Sequence, residues 1–294
     1  MTSSSDLSIP SNLESAYQEC IQLARSHYEN FTVATRLLSQ DILPHLSAVY
    51  AYCRRVDDLG DEAKGDRLAL LKAWAADFEL CYSGTPEMHH LKALQHTIRS
   101  YNIPPEPFRK LTEANRMDQR FQRYETFGEL LNYCDHSANP VGHLYLYVLG
   151  YRDEERHHLS DFICTGLQLA NFWQDINRDF AMGRIYLPRE DMSRFGYTEE
   201  ELAAGVYNTA FHELMAFQVE RTRHYFKRGS PLIGMVEGKA RLHIKLFSLG
   251  GLRVLDAIHG QGYDVLSKRP IVSRWRKAWL LIKTYTGMKL THQI

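Results

Sequence analysis

The sequence of 294 residues predicts an all-α fold, and three of its features support that prediction. Apolar residues recur at intervals of three and four along most of the chain, which is the spacing of one face of a helix. Breakers that contain glycine or proline separate these stretches, for example YSGTPE at 82–87 and KRGSP at 227–231. No stretch alternates convincingly between apolar and polar residues, as a half-buried strand does. We therefore expect helices joined by loops, without internal repeats.

The same periodicity places the helices in chain order. The first begins at Ser11, which forms the pattern of a capping box with Glu14. The others span 41–62, 66–82, 107–134, 139–149, 159–181, 199–228, 237–259 and 273–286. A chain of this length is large for one domain, but one helical unit can reach it. We expect a single domain over 11–290, preceded by a disordered tip at 1–10.

The amino-acid composition limits the kinds of partner that the protein is expected to bind. Hydrophobic residues make up 44% and charged residues 24%, as in ordinary globular proteins. The 35 basic and 35 acidic side chains cancel, so we expect no nucleic-acid partner. From Arg221 onward, however, there are 15 Lys and Arg but only 3 Asp and Glu. This excess is either paired within the protein or faces anions such as phosphates or lipid headgroups.

The cysteines and the N-terminus predict a cytoplasmic protein. The five cysteines form no CxxC pair and are typical of reduced thiols rather than of disulfides or a zinc site; they are Cys20, Cys53, Cys81, Cys134 and Cys164. The N-terminal MTSSSDLSIPSN has neither the basic nor the apolar region of a signal peptide. The most apolar run, VGHLYLYVLG, is too short to cross a bilayer.

Two acidic motifs carry the chemistry. In AYCRRVDDLGDE (51–62), Asp57 and Asp61 are four residues apart and share a helix face at roughly 5–6 Å. In NFWQDINRDFAMGRIYLPRED (171–191), the same spacing places Asn171, Asp175 and Asp179 on one stripe. Mg²⁺ prefers oxygen ligands, with water and substrate phosphate completing its octahedron. Two such helices that face each other across a cavity would hold Mg²⁺ against a diphosphate.

Surface salt bridging is the alternative interpretation of both motifs. Arg54 can pair with Asp58, and Arg178 with Asp175, at helical spacing. Two features favour the metal site instead. Both motifs follow strongly apolar helices, where unpaired carboxylates are costly to bury without a cation. The second motif also runs into GRIYLP (183–188), whose arginine and tyrosine can reach phosphate oxygens.

Other cofactor motifs are weaker. The Glu-x-x-His pattern of di-iron bundles occurs three times, but in or beside polar loop segments, and we interpret these residues as solvated; the pairs are Glu87/His90, Glu154/His157 and Glu155/His158. HELMA (212–216) lacks the second histidine of HExxH. There is no P-loop and no GxGxxG, so a conventional nucleotide fold is unsupported.

Taken together, the motifs resemble those of the squalene/phytoene synthase family, the head-to-head isoprenyl synthases. The resemblance runs from His27 to about Lys283 and is carried by YAYCRRVDDLGDE (50–62), RMDQRFQRYETF (116–127), YCDHSANPVG (133–142), NFWQDINRDFAMGRIYLP (171–188) and KRPIVS (268–273). It implies an all-α isoprenoid-synthase fold with a central active-site cavity. It also implies a prenyl diphosphate substrate and diphosphate ionisation as the first step.

The resemblance assigns roles to individual residues. It implies Mg²⁺ ligands in both acidic motifs, namely Asp57, Asp61, Asn171, Asp175 and Asp179. Tyr50, Arg54 and Arg269 match positions that line the diphosphate site in the family. Arg178, Arg184 and Tyr186 lie in the matching second segment and are expected to bind substrate.

Departures from the family pattern point to one branch. HYENF (27–31) stands where many relatives have HSxSF, Gln174 where they often have arginine, and Asp135-His136 where they have aromatic residues. HYENF, SANPVG and NFWQD together resemble the hopanoid-pathway branch, the squalene synthases of HpnC type. That resemblance implies conversion of presqualene diphosphate to hydroxysqualene, while a separate relative makes the presqualene diphosphate.

Loss of diphosphate leaves a carbocation, and the group that quenches this carbocation distinguishes the rival functions. Quenching by water gives an alcohol without a reductant, so we do not expect NADPH. Quenching by hydride from NADPH gives squalene. Asp135 and His136 either hold that water or pin a helix that is broken at Pro140. Rival functions are a complete squalene synthase using two farnesyl diphosphates, a phytoene or dehydrosqualene synthase, and an inactive relative that serves as an assembly protein. The last need not keep its metal ligands, and here the motif aspartates are in place.

The C-terminal stretch SRWRKAWLLIKTYTGMKL (273–290) is basic and rich in tryptophan and leucine. It is either a final helix packed on the fold or a peripheral contact to an anionic membrane. A transient contact with a presqualene diphosphate synthase is a further expected interaction.

Overall fold

A computed structural model describes residues 8–27 and 41–271. Within these ranges every regular element is a helix and there is no strand, which confirms the predicted all-α class. The N-terminal part of the predicted tip (1–7) and the predicted helix at 273–286 lie outside the described residues, as does most of HYENF.

The helices follow one another along the chain after a short 3₁₀ turn at Ser11–Leu13. They are α1 (Glu14–His27), α2 (Leu43–Asp61), α3 (Arg67–Ser83), α4 (His89–Tyr101), α5 (Glu106–Met117), α6 (Phe127–Ser137), α7 (Asn139–Val148), α8 (Glu154–Gln174), α9 (Ile176–Ala181), α10 (Arg189–Phe195), α11 (Glu199–Ala203), α12 (Thr209–Gly229), α13 (Leu232–Met235) and α14 (Gly238–Gly260).

These residues fall into two compact units. The first unit comprises Met1–Arg120 and Pro140–Asp153, and the second comprises Phe121–Asn139 and Glu154–Ile294. The chain thus leaves the first unit, returns to it for most of α7, and leaves it again. Each acidic motif belongs to a different unit, and the single domain over 11–290 stays a prediction.

Several predicted helix boundaries differ from the structure. The predicted helix at 107–134 is interrupted at 118–126, and the one at 199–228 at 204–208. Helix α4 was not predicted at all, because it lies between two breaker segments. The capping box at Ser11 is wrong, since the backbone N–H of Glu14 bonds the backbone carbonyl oxygen of Ser11. A complete capping box occurs instead at the start of α11.

The core of the first unit fixes α2, the helix that carries the first acidic motif. Tyr52 is fully buried among the rings of Trp74, Phe78 and Phe108, at centroid distances of 4.9–5.3 Å. Its hydroxyl lies 2.9 Å from the carbonyl oxygen of Phe108, to which it donates. Because this face of α2 is anchored in the core, the opposite face presents its acidic side chains outward.

The core of the second unit brings α8, α12 and α14 together around one aromatic ring. Phe226 of α12 is 3% exposed and lies between two glycines. A Cβ added at Gly166 of α8 would lie 3.2 Å from this ring, and one at Gly251 of α14 would lie 2.3 Å from it. The absence of side chains at both positions therefore makes the slot that Phe226 fills.

Two further predictions concern the cysteines and membrane spans. All five cysteines are free thiols, and Cys20, Cys81 and Cys134 are buried. Among the helices of the described ranges, none combines the length and the apolar character that a bilayer crossing requires.

Candidate active site

The first acidic motif lies at the C-terminal end of α2. Solvent reaches the Asp57 carboxylate, but protein atoms surround it closely, and this desolvation raises the pKa of Asp57 to about 6. Repulsion from Asp61 raises the pKa as well. A hydrogen bond from Asn115 Nδ2 to Asp57 Oδ1, 3.1 Å long, opposes the rise because it favours the ionised form. Asp57 and Asp61, which the sequence spacing placed on one helix face, therefore lie close enough in the fold to repel each other.

Asn115 can reach Asp57 only because residue 60 is glycine. A Cβ at Gly60 would lie 2.1 Å from Asn115 Oδ1, well inside van der Waals contact. Gln119 secures the same junction by donating from Nε2 to the carbonyl oxygen of Gly60 at 2.9 Å. The sequence analysis did not identify Gly60, Asn115 or Gln119, although a glycine inside a helical pattern can indicate a packing constraint.

Gly60→Ala should push Asn115 away from Asp57. The carboxylate then loses a hydrogen bond that favours ionisation, so its pKa rises above about 6. We expect the acid limb of the pH–rate profile to move to higher pH, and Asn115→Ala to move it in the same direction. Gly234→Ala, where a Cβ meets no atom within 4 Å, is the control. An acid limb that stays in place in both variants would show that Asn115 does not hold Asp57.

Arg54, an expected diphosphate ligand, is engaged with carboxylates of its own helix. Its Nη2 lies 2.6 Å from Asp58 Oδ1 and 2.7 Å from Glu62 Oε1. The Arg54–Asp58 pair foreseen as the alternative interpretation is thus confirmed. Tyr50 is half-buried one helical turn before Arg54. The roles of Tyr50 and Arg54 toward a diphosphate stay predictions.

The second acidic motif spans a helix break that the sequence analysis did not foresee. Helix α8 ends at Gln174, and Asp175 has a non-helical backbone (φ −109°, ψ 16°) before α9 starts. Backbone hydrogen bonds nevertheless continue across the break, from Asp175 N to Asn171 O and from Asp179 N to Asp175 O, both 2.9 Å. Asn171, Asp175 and Asp179 therefore keep the one-turn spacing of a stripe.

Asp175 pairs with Arg269 and not with Arg178. The Arg269 guanidinium donates from Nε to Asp175 Oδ1 and from Nη2 to Asp175 Oδ2, the latter at 3.0 Å. The Asp175 side chain is 16% exposed and that of Arg269 is 51% exposed. The pairing of Arg178 with Asp175 considered from the sequence is therefore wrong, and Arg178 lies exposed on α9.

The turn after α9 brings Arg184 and Tyr186 close to Asp179. Gly183 adopts φ 83°, a conformation that favours glycine, and Arg184 N then donates to Asp179 O at 2.8 Å. Asp179, Arg184 and Tyr186 line one cavity of about 10 Å³, which is room for about one water. Tyr186 itself is 8% exposed, so its predicted contact with phosphate oxygens stays a prediction.

An aromatic cluster that the sequence analysis did not predict surrounds Tyr186. Its ring stacks on Phe172 at 3.9 Å and 13°, and it lies 5.8 Å from Tyr124 and 5.7 Å from Tyr133. All four rings are at least nine-tenths buried. Tyr124, Tyr133 and the Phe172/Tyr186 pair come from three motif segments that lie apart in the sequence, so no local spacing could connect all four rings. The cluster anchors the GRIYLP turn beside the second acidic motif.

Asp135 and His136 lie in the last turn of α6. His136 Nδ1 donates to the backbone carbonyl oxygen of Asn132 at 2.8 Å, within this turn. In a neutral ring, Nε2 is then the nitrogen with the lone pair. The Asp135 carboxylate is 4.0 Å from His136 Nδ1 and 42% exposed. The predicted helix break at Pro140 is wrong, because α6 ends before Ala138 and Pro140 lies in the first turn of α7.

The Glu-x-x-His pairs were interpreted wrongly in one respect. Glu154, His157 and their neighbours form the first turns of α8 instead of a loop, and His157 is 8% exposed. His90 stacks on Trp74 at 5.2 Å and is partly buried. Within 8–27 and 41–271, no three His, Cys, Asp or Glu side chains converge as a metal site, so a di-iron cluster has no support there.

Comparisons with known proteins define the class. A sequence profile of the squalene/phytoene synthase family matches residues 24–276. The chain belongs to the squalene/phytoene synthase family, whose members process prenyl diphosphates. This confirms the resemblance carried by the motifs.

Individual relatives extend the comparison. The chain is 32% identical to the 15-cis-phytoene synthase of Synechococcus elongatus, over 90% of this chain and 91% of that one. It is 44% identical to the crystal structure of squalene synthase HpnC from Alicyclobacillus acidocaldarius, with a TM-score of 0.84, over 87% of this chain and 97% of that one. A dehydrosqualene synthase structure shares the fold, with a TM-score of 0.86 at 24% identity. The predicted isoprenoid-synthase-type fold is thereby confirmed.

Proposed function

We propose that the protein converts presqualene diphosphate to hydroxysqualene, with release of diphosphate, in hopanoid biosynthesis. The observation that carries this proposal is the 44% identity to the HpnC squalene synthase over 87% of the chain. The phytoene synthases are more distant, at 27–32% identity. Because the family processes prenyl diphosphates, the proposal adds only the particular substrate and the fate of the carbocation.

The donor set fits Mg²⁺. All five proposed ligands offer oxygen atoms, and Mg²⁺ prefers one or two carboxylates with water and substrate phosphate oxygens. Asp57 Oδ2 is not used by Asn115, and Asp61 shares its face of α2. Asn171 and Asp179 flank Asp175 at one-turn intervals. When bound, Mg²⁺ would neutralise charge on the leaving diphosphate.

The two arginines are proposed to bind the diphosphate itself. Arg269 now contacts Asp175, and Arg54 contacts Asp58 and Glu62. Each guanidinium is partly solvent-accessible and can exchange a carboxylate partner for phosphate oxygens, which arginine binds in the bidentate geometry that Arg269 makes with Asp175. Their charge then stabilises the departing diphosphate as the carbon–oxygen bond breaks.

His136 is proposed to accept a proton when water quenches the carbocation. Water would form the new carbon–oxygen bond, and its proton would pass to His136 Nε2, since Nδ1 is committed to Asn132. Asp135, adjacent on α6, would hold the same water. An Asp135→Leu/His136→Phe double variant that gives only the alcohol at the normal rate would end this part of the proposal.

Two other functions of the same family compete. Hydride from NADPH would give squalene, and geranylgeranyl diphosphate as substrate would give phytoene; the second is favoured by the matches to phytoene synthases over about nine-tenths of the chain. A separate synthase would have to supply presqualene diphosphate. Transient contact with that synthase or with a membrane, and a cytoplasmic location, stay predictions.

Product analysis tests the proposal. The protein would be incubated with Mg²⁺ and presqualene, farnesyl or geranylgeranyl diphosphate in turn, each with and without NADPH. We expect the alcohol from presqualene diphosphate alone and no change on adding NADPH. Squalene formed only with NADPH, or phytoene from geranylgeranyl diphosphate, would contradict the proposal. Omission of Mg²⁺ in the presence of a chelator is expected to stop turnover.

A further inference from the structure

Arg269 lies on an irregular segment, yet its guanidinium forms a bidentate pair with the Asp175 carboxylate. The segment follows α14 and carries Arg269 between the buried residues Leu266 and Pro270. The Arg269 side chain is 51% exposed, and an exposed ion pair by itself does little to hold a long side chain in one orientation. The position of Arg269 must therefore be fixed by contacts other than the ion pair.

Two amide side chains that flank Asp175 bind the backbone on either side of Arg269. Gln174 Nε2 donates to the carbonyl oxygen of Pro270 at 2.6 Å. Asn177 Nδ2 donates to the carbonyl oxygen of Leu266 at 2.5 Å. The two carbonyl groups are four residues apart and enclose Arg269, so the segment is fixed at both ends to the α8–α9 junction.

Gln174 also contacts the guanidinium itself. Its Oε1 accepts from Arg269 Nη2 at 3.3 Å while its Nε2 binds Pro270, so both ends of one amide are used. Gln174 is only 9% exposed, where hydrogen bonds are well shielded from water. Within the segment, the carbonyl oxygen of Lys268 accepts a hydrogen bond of 2.9 Å from Nε2 of Gln261, the residue that follows α14.

We propose that Gln174 and Asn177 are positioning residues that fix the Leu266–Pro270 segment on the α8–α9 junction and so place the Arg269 guanidinium at the diphosphate site. We call these two residues the amide latch. The inference rests on the proposed function, because it assumes that Arg269 exchanges Asp175 for a diphosphate. With the backbone held, the guanidinium needs only side-chain rotation for that exchange, which limits the ordering entropy paid on binding.

If the amide latch positions Arg269, replacing Gln174 should weaken diphosphate binding by displacing the Arg269 guanidinium. The probe is inorganic pyrophosphate with Mg²⁺, with its affinity measured by calorimetry on the full-length protein. Gln174→Met keeps the buried volume but removes both hydrogen bonds, and we expect about tenfold weaker binding. Asn177→Ala, at an exposed position that should not affect folding, is expected to weaken binding several-fold, about the effect of one hydrogen bond.

A double-mutant cycle separates positioning from general stability. In an Arg269→Ala background, Gln174→Met should weaken pyrophosphate binding by less than about twofold, because the group it positions is gone. Gln95→Met is the matched control: Gln95 is also 9% exposed and holds backbone carbonyls at the end of α3, including that of Gly84 at 2.9 Å. It should lower the melting temperature without changing pyrophosphate affinity.

The outcomes are distinct. Wild-type affinity in Gln174→Met, or in Asn177→Ala if the first variant does not fold, would overturn the latch while leaving the proposed function intact. An equal loss from Gln174→Met with and without Arg269 would also overturn it. If the wild-type protein binds no pyrophosphate with Mg²⁺, the proposed function fails and the latch fails with it.

Discussion

Replacing Asp57 or Asp175 by alanine is expected to reduce turnover of the diphosphate substrate by roughly a thousandfold, the scale on which a lost electrostatic stabiliser of the transition state acts. Each carboxylate is proposed to bind Mg²⁺, and alanine supplies no oxygen ligand in its place. Steady-state rates with saturating Mg²⁺ measure the loss. Turnover that persists in both variants would remove the metal assignment.

Melting temperatures show whether the loss of turnover results from a loss of folding stability. Burial raises the pKa of Asp57 from the ordinary value of 3.8 to about 6, so its ionisation lowers the stability of the fold as the pH rises from 3.8 to about 6, and the full cost is present above that pH. Its charge therefore lowers stability at pH 7.5, and Asp57→Ala should melt no lower than wild type in Mg²⁺-free buffer. Asp256→Ala removes a surface carboxylate that pairs with Arg223 and Arg253, and should leave turnover unchanged. A large drop in melting temperature for Asp57→Ala would contradict the pKa shift.

Alanine at Gly251 and alanine at Gly250 are expected to change stability in opposite directions. A methyl group at Gly251 would lie 2.3 Å from Phe226 Cζ and 2.9 Å from Leu167 Cδ2. The Phe226 ring cannot move away from this methyl group, because the backbone at Gly166 lies against its other side. Overpacking of this kind destabilises by about 1–3 kcal/mol. At Gly250 a methyl group meets no atom within 4 Å, and a helical Gly→Ala change stabilises by about 0.5–1 kcal/mol.

Urea unfolding of the two variants measures the difference at adjacent positions of α14. Both substitutions add one methyl group to the same helix, so helix propensity is common to them and only the surroundings differ. We expect a lower midpoint for Gly251→Ala and a midpoint at or above that of wild type for Gly250→Ala. Equal midpoints would mean that Phe226 does not occupy the glycine slot tightly.

The fold class and the acidic stripes could be predicted from sequence because both depend on local geometry. The repeat of 3.6 residues that gives α2 its apolar face also places Asp57 and Asp61 one turn apart, whatever the rest of the chain does. The same reasoning placed the stripe of Asn171, Asp175 and Asp179. Helix limits were less predictable, as α4 shows: its buried residues Leu91, Leu94, Ile98 and Tyr101 have helical spacing, but breakers on both sides hid it.

The partners of these residues were decided by tertiary structure. Asn115 reaches Asp57 from 58 residues away, and Arg269 reaches Asp175 from 94 residues away. Neither contact can be predicted from the helical repeat, because each depends on how helices and loops pack. The Asn115–Asp57 contact also depends on the space that a glycine leaves. The sequence by itself thus determined the helical class, the family and the spacing of the acidic side chains. Only the tertiary structure decided which cations and amides meet them, because contacts between distant segments arise from packing and not from local repeat geometry.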